Sequence, residues 1–236
     1  AQERIPQRIT DSESYCMYHQ NWIERIARTI DAKPGETVVE IGPGQAALTR
    51  KMIADAGHAT AIEIDRDLAA WLKETFPETL TLIEADALKL DWNEVHPGKA
   101  LRIVGNLPYN ISSPLLFHLM TVADRVIDQH FMLQKEVVDR MVATPGSKVY
   151  GRLSVMLQYR YRMQKMFDVP PGAFTPAPKV TSSIVRIVPN KVYELLPVDL
   201  ERFAVIVAAA FNQRRKTLRN ALAKLLTEED IKKASV

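Results

Sequence analysis

The 236-residue chain is 47% hydrophobic and 25% charged, which suits a globular protein with one large domain, or one domain and a small appendage. Its apolar runs fall short of the roughly 18 residues that cross a bilayer, and its polar start lacks the apolar core of a signal peptide. The single cysteine, Cys16, excludes an intramolecular disulfide, and the five histidines are scattered without metal-ligand spacing. We therefore expect a cytoplasmic protein that holds no metal and does not contact a membrane.

The net charge of +3 lies entirely in the C-terminal part of the chain. Residues 191–236 carry nine Lys and Arg against six Asp and Glu, whereas residues 1–190 sum to zero. A basic excess on a small appendage is typical of a nucleic-acid contact. A solvated helix face would show the same charge, so charge alone leaves both interpretations open.

Apolar periodicity predicts that helices and strands alternate through the first part of the chain. The first helix runs from Trp22 to Ile30 and is stopped by Pro34 and Gly35. Helices are also expected at 46–55 and 67–75. The predicted strands are Thr37–Ile41, Ala59–Ile64, Leu80–Glu84, Leu101–Val104 and Gln129–Leu133. This alternation predicts an α/β fold with a mostly parallel sheet and helices on both faces.

The chain is then predicted to add a helix and a hairpin of edge strands. The helix is Arg152–Tyr159, and the hairpin strands are Tyr161–Val169 and Val180–Val188. The loop between these strands, 170–178, contains four prolines, and this stiffness predicts that Phe174 is held out from the sheet.

A linker at Pro189–Pro197 divides the chain into two predicted domains. Residues 1–190 form the α/β domain, and residues 191–236 form a small helical domain. The second domain begins with an apolar stripe at helical spacing: Leu200, Phe203, Ile206, Val207, Ala210 and Phe211. A basic cluster follows this stripe.

Four residues lie at or just after the ends of predicted strands: Gly42, Glu63, Asp86 and Asn106. In a parallel α/β sheet, ligands bind beyond the carboxyl ends of the strands, at the point where the strand order reverses. We therefore expect these residues to converge on one crevice. Taken singly, Glu63 and Asp86 are better explained as solvated loop carboxylates, and it is their occurrence together at successive strand ends that favours a site.

The segment Gly42-x-Gly44-x-x-Ala47 matches the glycine fingerprint of a nucleotide-binding turn, and Glu63 follows Gly42 by 21 residues. Glycine lets the backbone approach a ligand closely, and a carboxylate at the next strand end can accept both hydroxyls of a ribose. A nicotinamide dinucleotide and S-adenosylmethionine both satisfy this pattern.

Two carboxylates favour S-adenosylmethionine. Glu40 lies two residues before the first glycine, where its charge suits an ammonium and a sulfonium and opposes a pyrophosphate. Asp86 follows the third strand and can accept a hydrogen bond from an adenine amino group.

The segment Gly105-Asn106-Leu107-Pro108-Tyr109-Asn110 follows the fourth predicted strand, which we expect Gly105 to stop. It combines an amide, a carbonyl, a rigid turn and an aromatic ring at one place. These groups can hold a planar amino group, such as that of adenine, against an electrophile. A proline turn with a half-buried tyrosine is the structural alternative.

Together these motifs resemble the KsgA-type ribosomal RNA adenine dimethyltransferases, and the resemblance spans about Trp22 to Leu226. Two further segments that carry it are far more specific than a glycine turn: Ala173-Phe174-Thr175-Pro176-x-Pro178-Lys179-Val180 and Phe211-Asn212-Gln213-Arg214-Arg215-Lys216-Thr217. They favour this family over enzymes that methylate large-subunit RNA and over DNA adenine methyltransferases.

The resemblance implies a Rossmann-like enzyme that transfers two methyl groups from S-adenosylmethionine to each of two adjacent adenosines. These lie near the 3′ end of small-subunit ribosomal RNA, which is modified late in subunit assembly. Asn106 and the Leu107 carbonyl would accept hydrogen bonds from the target amine, Tyr109 would stack on the adenine, and Phe174 would close over it.

The predicted site residues fall into three groups. The catalytic residues are Asn106, Leu107, Pro108, Tyr109 and Phe174. The cofactor-binding residues are Glu40, Gly42, Gly44, Glu63, Asp86, Ala87 and Asn106. The residues predicted to contact RNA phosphates are Arg214, Arg215, Lys216 and Arg219.

Two departures from the family pattern affect these expectations. A Gln-Asn-Phe-Leu segment that helps to cover the cofactor falls here on Ser14-Tyr15-Cys16-Met17, which does not match. This mismatch leaves open an RNA-binding assembly factor of the same fold that has lost turnover. Family members also continue through further helices beyond the position of Val236, so we expect the RNA-binding tail to be incomplete.

A nicotinamide oxidoreductase is a third functional hypothesis, but it does not explain the segment Asn106 to Tyr109 or the basic tail. We therefore expect a monomeric methyltransferase that acts on the small ribosomal subunit.

Overall fold

A seven-stranded mixed sheet organises the structure, a computed structural model that describes residues 16–17, 19–190, 199–213 and 215–234. The strands are β1 (Cys16–Met17), β2 (Thr37–Ile41), β3 (Ala59–Glu63), β4 (Leu80–Glu84), β5 (Leu101–Asn106), β6 (Val126–Gln134), β7 (Tyr161–Val169), β8 (Phe174–Thr175) and β9 (Ser182–Pro189). The order in the sheet is β4-β3-β2-β5-β6-β9-β7, and β1 pairs separately with β8.

Helices connect most of these strands. They are α1 (Gln20–Ile30), α2 (Ala47–Ala56), α3 (Arg66–Thr75), α4 (Tyr109–His118), α5 (Lys135–Met141), α6 (Arg152–Gln158), α7 (Leu200–Asn212), α8 (Leu218–Leu222) and α9 (Glu228–Ala234). Helix α1 buries Ile23, Ile26, Ala27 and Ile30, which recur at helical spacing on one face. No helix among the described residues is long and apolar enough to cross a membrane.

Strands β4, β3, β2, β5 and β6 are parallel neighbours, whereas β9 pairs antiparallel with β6. The chain moves outward from β2 through β3 to β4, and then places β5 on the opposite side of β2. The strand order therefore reverses between β2 and β5. Aliphatic residues of these two strands are buried, as in a parallel sheet covered on both faces. The predicted α/β sheet is confirmed.

The fourth predicted strand does not stop at Gly105, and this prediction is wrong. Strand β5 continues to Asn106, and Gly105 pairs in register with Ile41 of β2. A Cβ atom added at Gly105 would lie 2.7 Å from the Ile41 carbonyl oxygen. Glycine is therefore needed for a close approach of two backbones and not as a strand terminator.

The predicted hairpin of edge strands is also partly wrong. Strands β7 and β9 are neighbours, but β9 lies inside the sheet because it pairs with β6 from Gln129 to Gln134. Of these two strands, only β7 lies at an edge of the sheet. The two segments have the same alternating apolar pattern, because an inner antiparallel strand keeps the period of two that an edge strand also shows.

Two compact units divide the chain. The first comprises Ala1–Val138 with Arg162–Pro189 and carries the sheet. The second comprises Asp139–Tyr161 with Asn190–Val236 and is helical in its described part. In the second unit the Tyr159 ring meets the Phe203 ring edge-on, with the centroids 5.1 Å apart. The units differ from the two segments expected from the sequence, because residues 139–161 pack with the tail.

We predict that Gly105→Ala destabilises the protein by about 1–3 kcal/mol, because the added methyl group must displace the β2 backbone at Ile41. Gly172→Ala is the matched control, since an added Cβ there meets no heavy atom within 4 Å. Its free energy of unfolding should change by less than about 1 kcal/mol. Urea unfolding of both variants measures the difference, and equal stabilities would contradict the steric assignment.

Candidate active site at the carboxyl ends of the parallel strands

Four parallel strands end side by side at one edge of the sheet. The Gly42 N–H, just after β2, donates to the Ile62 carbonyl of β3 at 2.9 Å. The Ala85 N–H, just after β4, donates to the Glu63 carbonyl at 3.0 Å. Because Ile41 pairs with Gly105, the end of β5 lies beside the end of β2. The structure thus brings the predicted strand-end residues to one edge, at the point where the strand order reverses.

The turn between β2 and α2 depends on its glycines for backbone conformation. Gly42 and Gly44 have φ angles of 64° and 54°, in the left-handed region that favours glycine. A Cβ atom added at either position would meet no heavy atom within 4 Å. The space beside this turn is therefore open, and a ligand can approach the backbone at the start of α2.

Glu40 lies in β2, two residues before this turn, and is buried, with 3% of its surface exposed. Its Oε2 accepts a hydrogen bond of 2.5 Å from the hydroxyl of Thr49, a fully buried residue of α2. Burial raises the pKa of Glu40 to about 7, and the nearby Glu63 carboxylate adds to the rise. Glu40 is thus a poorly solvated carboxyl group that a positively charged ligand would help to ionise.

Glu63 ends β3 and is also buried. Its Oε1 accepts a hydrogen bond of 2.9 Å from the Asp65 N–H, which fixes the carboxylate at the strand end. Burial raises the pKa of Glu63, while the backbone N–H groups of Asp65 and Ile64 oppose the rise. The Asp65 side chain in turn caps α3 by accepting from the N–H groups of Asp67 and Leu68.

Asp86 and Ala87 lie in the loop after β4. One carboxylate oxygen of Asp86 accepts from the Leu88 N–H at 2.9 Å, and the Ala87 carbonyl accepts from the Trp92 indole at 3.0 Å. These bonds hold the loop in place. The second oxygen of the half-buried Asp86 carboxylate is of the type that can accept from a ligand amino group.

The segment after β5 has a buried anchor and an exposed face. The Leu107 side chain is buried, and its N–H donates to the Met132 carbonyl of β6 at 3.1 Å. Asn106 and Pro108 are exposed, and Tyr109, the first residue of α4, is 70% exposed. The Ser112 hydroxyl donates to the Tyr109 carbonyl at 2.9 Å and stiffens this turn. The tyrosine therefore presents its ring to solvent instead of forming a half-buried turn.

Phe174 is not held out from the sheet, so this prediction is wrong. Its side chain is only 5% exposed and lies in the hydrophobic core with Ile184 and Ala173. The cause is the pairing of β8 with β1, in which Phe174 lies opposite Met17. The proline-rich loop folds the ring inward, and Phe174 is a core residue in this structure.

Of the four residues that depart from the family pattern, 14–17, the structure describes two. Cys16 and Met17 form β1, and Met17 packs against the hydrophobic core. Ser14 and Tyr15 lie outside the described residues.

The basic residues of the tail belong to the second unit. Arg215, Lys216 and Arg219 are exposed, and Arg219 forms an ion pair with Glu228 at 3.1 Å. Arg214 lies outside the described residues. An exposed pair of this kind is worth little energy in water, so Arg219 can exchange it for a phosphate.

The sequence analysis missed Thr49 and Ile64 and gave Gly105 a different role. Thr49 is the buried partner of Glu40, and Gly105 permits the close approach of β2 and β5. Ile64 follows Glu63 and has 66% of its surface exposed, so it offers an apolar contact beside a buried carboxylate. In the sequence, Ile64 directly follows the acidic residue Glu63. The predicted strand therefore extends through Ile64, and the isoleucine is not recognised as an exposed residue after the strand end.

These groups fit S-adenosylmethionine better than a dinucleotide. Two buried carboxyl groups, Glu40 and Glu63, stand beside the glycine turn, and burial raises the pKa of both, so a positive charge beside them would favour their ionised forms. A ligand with an ammonium and a sulfonium supplies that charge, whereas a pyrophosphate would add repulsion.

We predict that Glu40 makes the protein less stable as the pH rises. The unfolded carboxyl ionises near its ordinary pKa of 4.5, while the folded one keeps its proton up to about pH 7. Stability from this group is therefore fully present below pH 4.5 and is lost by about pH 7, a change of roughly 3 kcal/mol.

Glu40→Gln, which cannot ionise, should remove this part of the pH dependence. Urea unfolding at about pH 5 and about pH 8 measures it, with the exposed Glu24→Gln as control. If Glu40→Gln and the wild type lose stability equally over this range, Glu40 is ionised in the folded protein and the assignment fails.

Sequence comparison places the chain among known proteins. The family model described as Ribosomal RNA adenine dimethylase matches residues 8–236. A curated relative, Ribosomal RNA small subunit methyltransferase A of Aromatoleum aromaticum, is 60% identical over 211 residues. The match covers 89% of this chain and 79% of the relative.

Structure comparison agrees with this placement. A dimethyladenosine transferase from Plasmodium falciparum is similar with a TM-score of 0.77 and 28% identity, over 87% of this chain and 74% of that one. The 23S rRNA methyltransferase ErmE is similar with a TM-score of 0.74 and 26% identity, over 92% of this chain and 87% of that one. The predicted Rossmann-like methyltransferase fold is confirmed, and the chain belongs to the ribosomal RNA adenine dimethylase family.

Proposed function

We propose that this protein uses S-adenosylmethionine to dimethylate the amino groups of two adjacent adenosines near the 3′ end of small-subunit ribosomal RNA, during subunit assembly. The observation that carries the proposal is the exposed Asn106–Tyr109 segment beside a glycine turn lined by buried carboxyl groups. The small-subunit relative at 60% identity supports this substrate over the large-subunit RNA of ErmE, at 26%. An assembly factor without turnover is not favoured, because the acceptor segment is intact.

The cofactor would be held by residues of the first unit. Glu40 offers a negative charge to its cationic groups, Glu63 accepts from the ribose hydroxyls, and Asp86 accepts from the adenine amino group. The open space beside the Gly42 and Gly44 turn leaves room for the cofactor to contact the protein backbone. When bound, S-adenosylmethionine supplies an electrophilic methyl group attached to a positively charged sulfur.

The target amine is the difficult partner, because an adenine amino nitrogen shares its lone pair with the ring and attacks poorly. The Asn106 side-chain oxygen and the Leu107 carbonyl would accept hydrogen bonds from its two hydrogens. Two acceptors favour a pyramidal nitrogen and stabilise the positive charge that develops on it. No strong base is needed, since the nitrogen can lose its proton after transfer.

The backbone of this segment is held before substrate arrives. The bond from Leu107 N–H to Met132 fixes the peptide at the end of β5, and Pro108 restricts the turn that follows. Positioning of this kind supplies much of the rate in a reaction without acid–base chemistry. For the second transfer, the site must also accept a rotated amine that has one hydrogen left.

Tyr109 would receive the adenine. A base must leave its stack to reach an active site, and an exposed aromatic ring offsets part of that cost, about 1–3 kcal/mol per stacked base. Tyr109 has the exposure that this role requires.

The second unit would bind RNA through Arg214, Arg215, Lys216 and Arg219, and the first would act as the methyltransferase domain. Contacts of these residues with phosphates contribute affinity and not base choice. We propose that the protein works as a monomer in the cytoplasm.

We predict that the protein transfers labelled methyl groups from S-adenosylmethionine to undermethylated small subunits. Asn106→Ala should lower the rate by about 100-fold or more, because it removes one of two acceptors for the developing charge. The exposed Asn93→Ala, outside this edge, is the matched control and should keep wild-type activity. Absence of transfer by the wild type, or equal rates for both variants, would sink the proposal.

We also predict that replacing Arg215 and Lys216 together by Gln weakens subunit binding. The slope of log K against log salt concentration should become shallower by about two, one for each lost phosphate contact. Cofactor affinity, measured by calorimetry, should stay the same because the glycine turn lies in the first unit. An unchanged affinity and slope would show that these residues are only a solvated surface.

A further inference from the structure

A groove of about 310 Å³ lies within the second unit, and its lining residues do not include any that were assigned to the cofactor or the target amine. It is formed by the loop that precedes α6, the last turn of α7 and the turn that follows. The residues that line it are Lys148, Tyr150, Ala210, Phe211, Gln213 and Lys216. Known ligand pockets begin at roughly 300 Å³, so this groove has room for one nucleotide and not for a duplex.

Its walls contain two aromatic rings in contact. Tyr150 and Phe211 meet edge-on at 66°, with their centroids 6.0 Å apart, and both remain half-exposed. The Tyr150 N–H donates to Ser147, and the Lys216 N–H donates to the Gln213 carbonyl at 2.9 Å. The two sides of the groove are therefore held by local bonds before any ligand binds.

The charge of the groove is positive. Lys148 and Lys216 are exposed. Among the residues that the structure describes, no carboxylate lines the groove and neither lysine forms an ion pair. The surrounding unit is also basic. Residues 139–161 and 190–236 carry 13 Lys and Arg against 7 Asp and Glu, a net +6, which leaves −3 for the rest of a chain of net +3.

We propose that this groove binds an unstacked nucleotide of ribosomal RNA, with flanking phosphates on Lys148 and Lys216 and the base against Tyr150 and Phe211. The lysines alone would serve an acidic peptide equally well. The paired rings favour RNA, because every nucleobase has a flat face that stacks on an aromatic side chain. This inference rests on the proposed function and adds a stacking contact for a base other than the target adenosine to the phosphate contacts already proposed for Lys216 and its neighbours.

The test compares binding to undermethylated small subunits across a salt series. Tyr150→Ala should weaken binding roughly 5- to 100-fold, whereas Tyr150→Phe, which keeps the ring, should bind as the wild type does. Lys148→Gln should make the salt slope shallower by about one. Lys224→Gln makes the same charge change at an exposed position of the same unit outside the groove, and should leave the slope unchanged.

Ultraviolet crosslinking of wild-type protein to the subunit identifies the occupant. A nucleotide attached to the peptide that contains Tyr150 or Phe211 supports the proposal. A crosslink of that peptide to a ribosomal protein would overturn it, as would wild-type binding by both Tyr150→Ala and Lys148→Gln.

The two proposals fail separately. If these variants bind normally while the wild type still transfers methyl groups, the groove is overturned and the proposed function stands. If the wild type neither binds the subunit nor methylates it, both are overturned. Thermal unfolding checks whether Tyr150→Ala is folded. If that variant is unfolded, Lys148→Gln, a change at an exposed position, still tests the groove.

Discussion

The close approach of β2 and β5 is the constraint on which the candidate active site depends. At Ile41 and Gly105 the two backbones lie too near for any side chain between them. This contact sets Glu40 and the glycine turn of one strand beside Asn106 of the other. A displacement of about 1 Å there would move the groups for the cofactor relative to the groups for the amine, and a misplacement of that size can lower a rate roughly 100-fold.

Two neighbouring buried acidic groups make the electrostatics at this edge unfavourable in the free protein. Glu40 and Glu63 are both buried, both have a raised pKa, and the charge of Glu63 raises the pKa of Glu40. Such an arrangement costs stability in the free protein, as strained or poorly solvated groups at functional sites commonly do. A cationic ligand removes the imbalance, so the same residues that weaken the empty fold favour the loaded one.

The sheet and its strand ends could be predicted from sequence because parallel strands buried on both faces leave long apolar runs between turn residues. Strands β2 and β4 matched their predicted bounds. Three features could not be predicted, since each depends on contacts between distant segments. Phe174 is buried by its pairing with Met17. Gly105 must be glycine because the Ile41 carbonyl leaves no space for a side chain. Residues 139–161 contact the tail through aromatic rings.

The division of the chain into units has a consequence for how such proteins can change. The chain passes from one unit to the other three times, after Val138, Tyr161 and Pro189. The second unit is therefore not a module that a single recombination event could add, remove or exchange. A cut at the end of β9 would strip the partners from Tyr150 and Tyr159 and leave apolar rings uncovered. New substrate preferences must then arise by substitution within both segments, while the sheet that carries the chemistry stays in place.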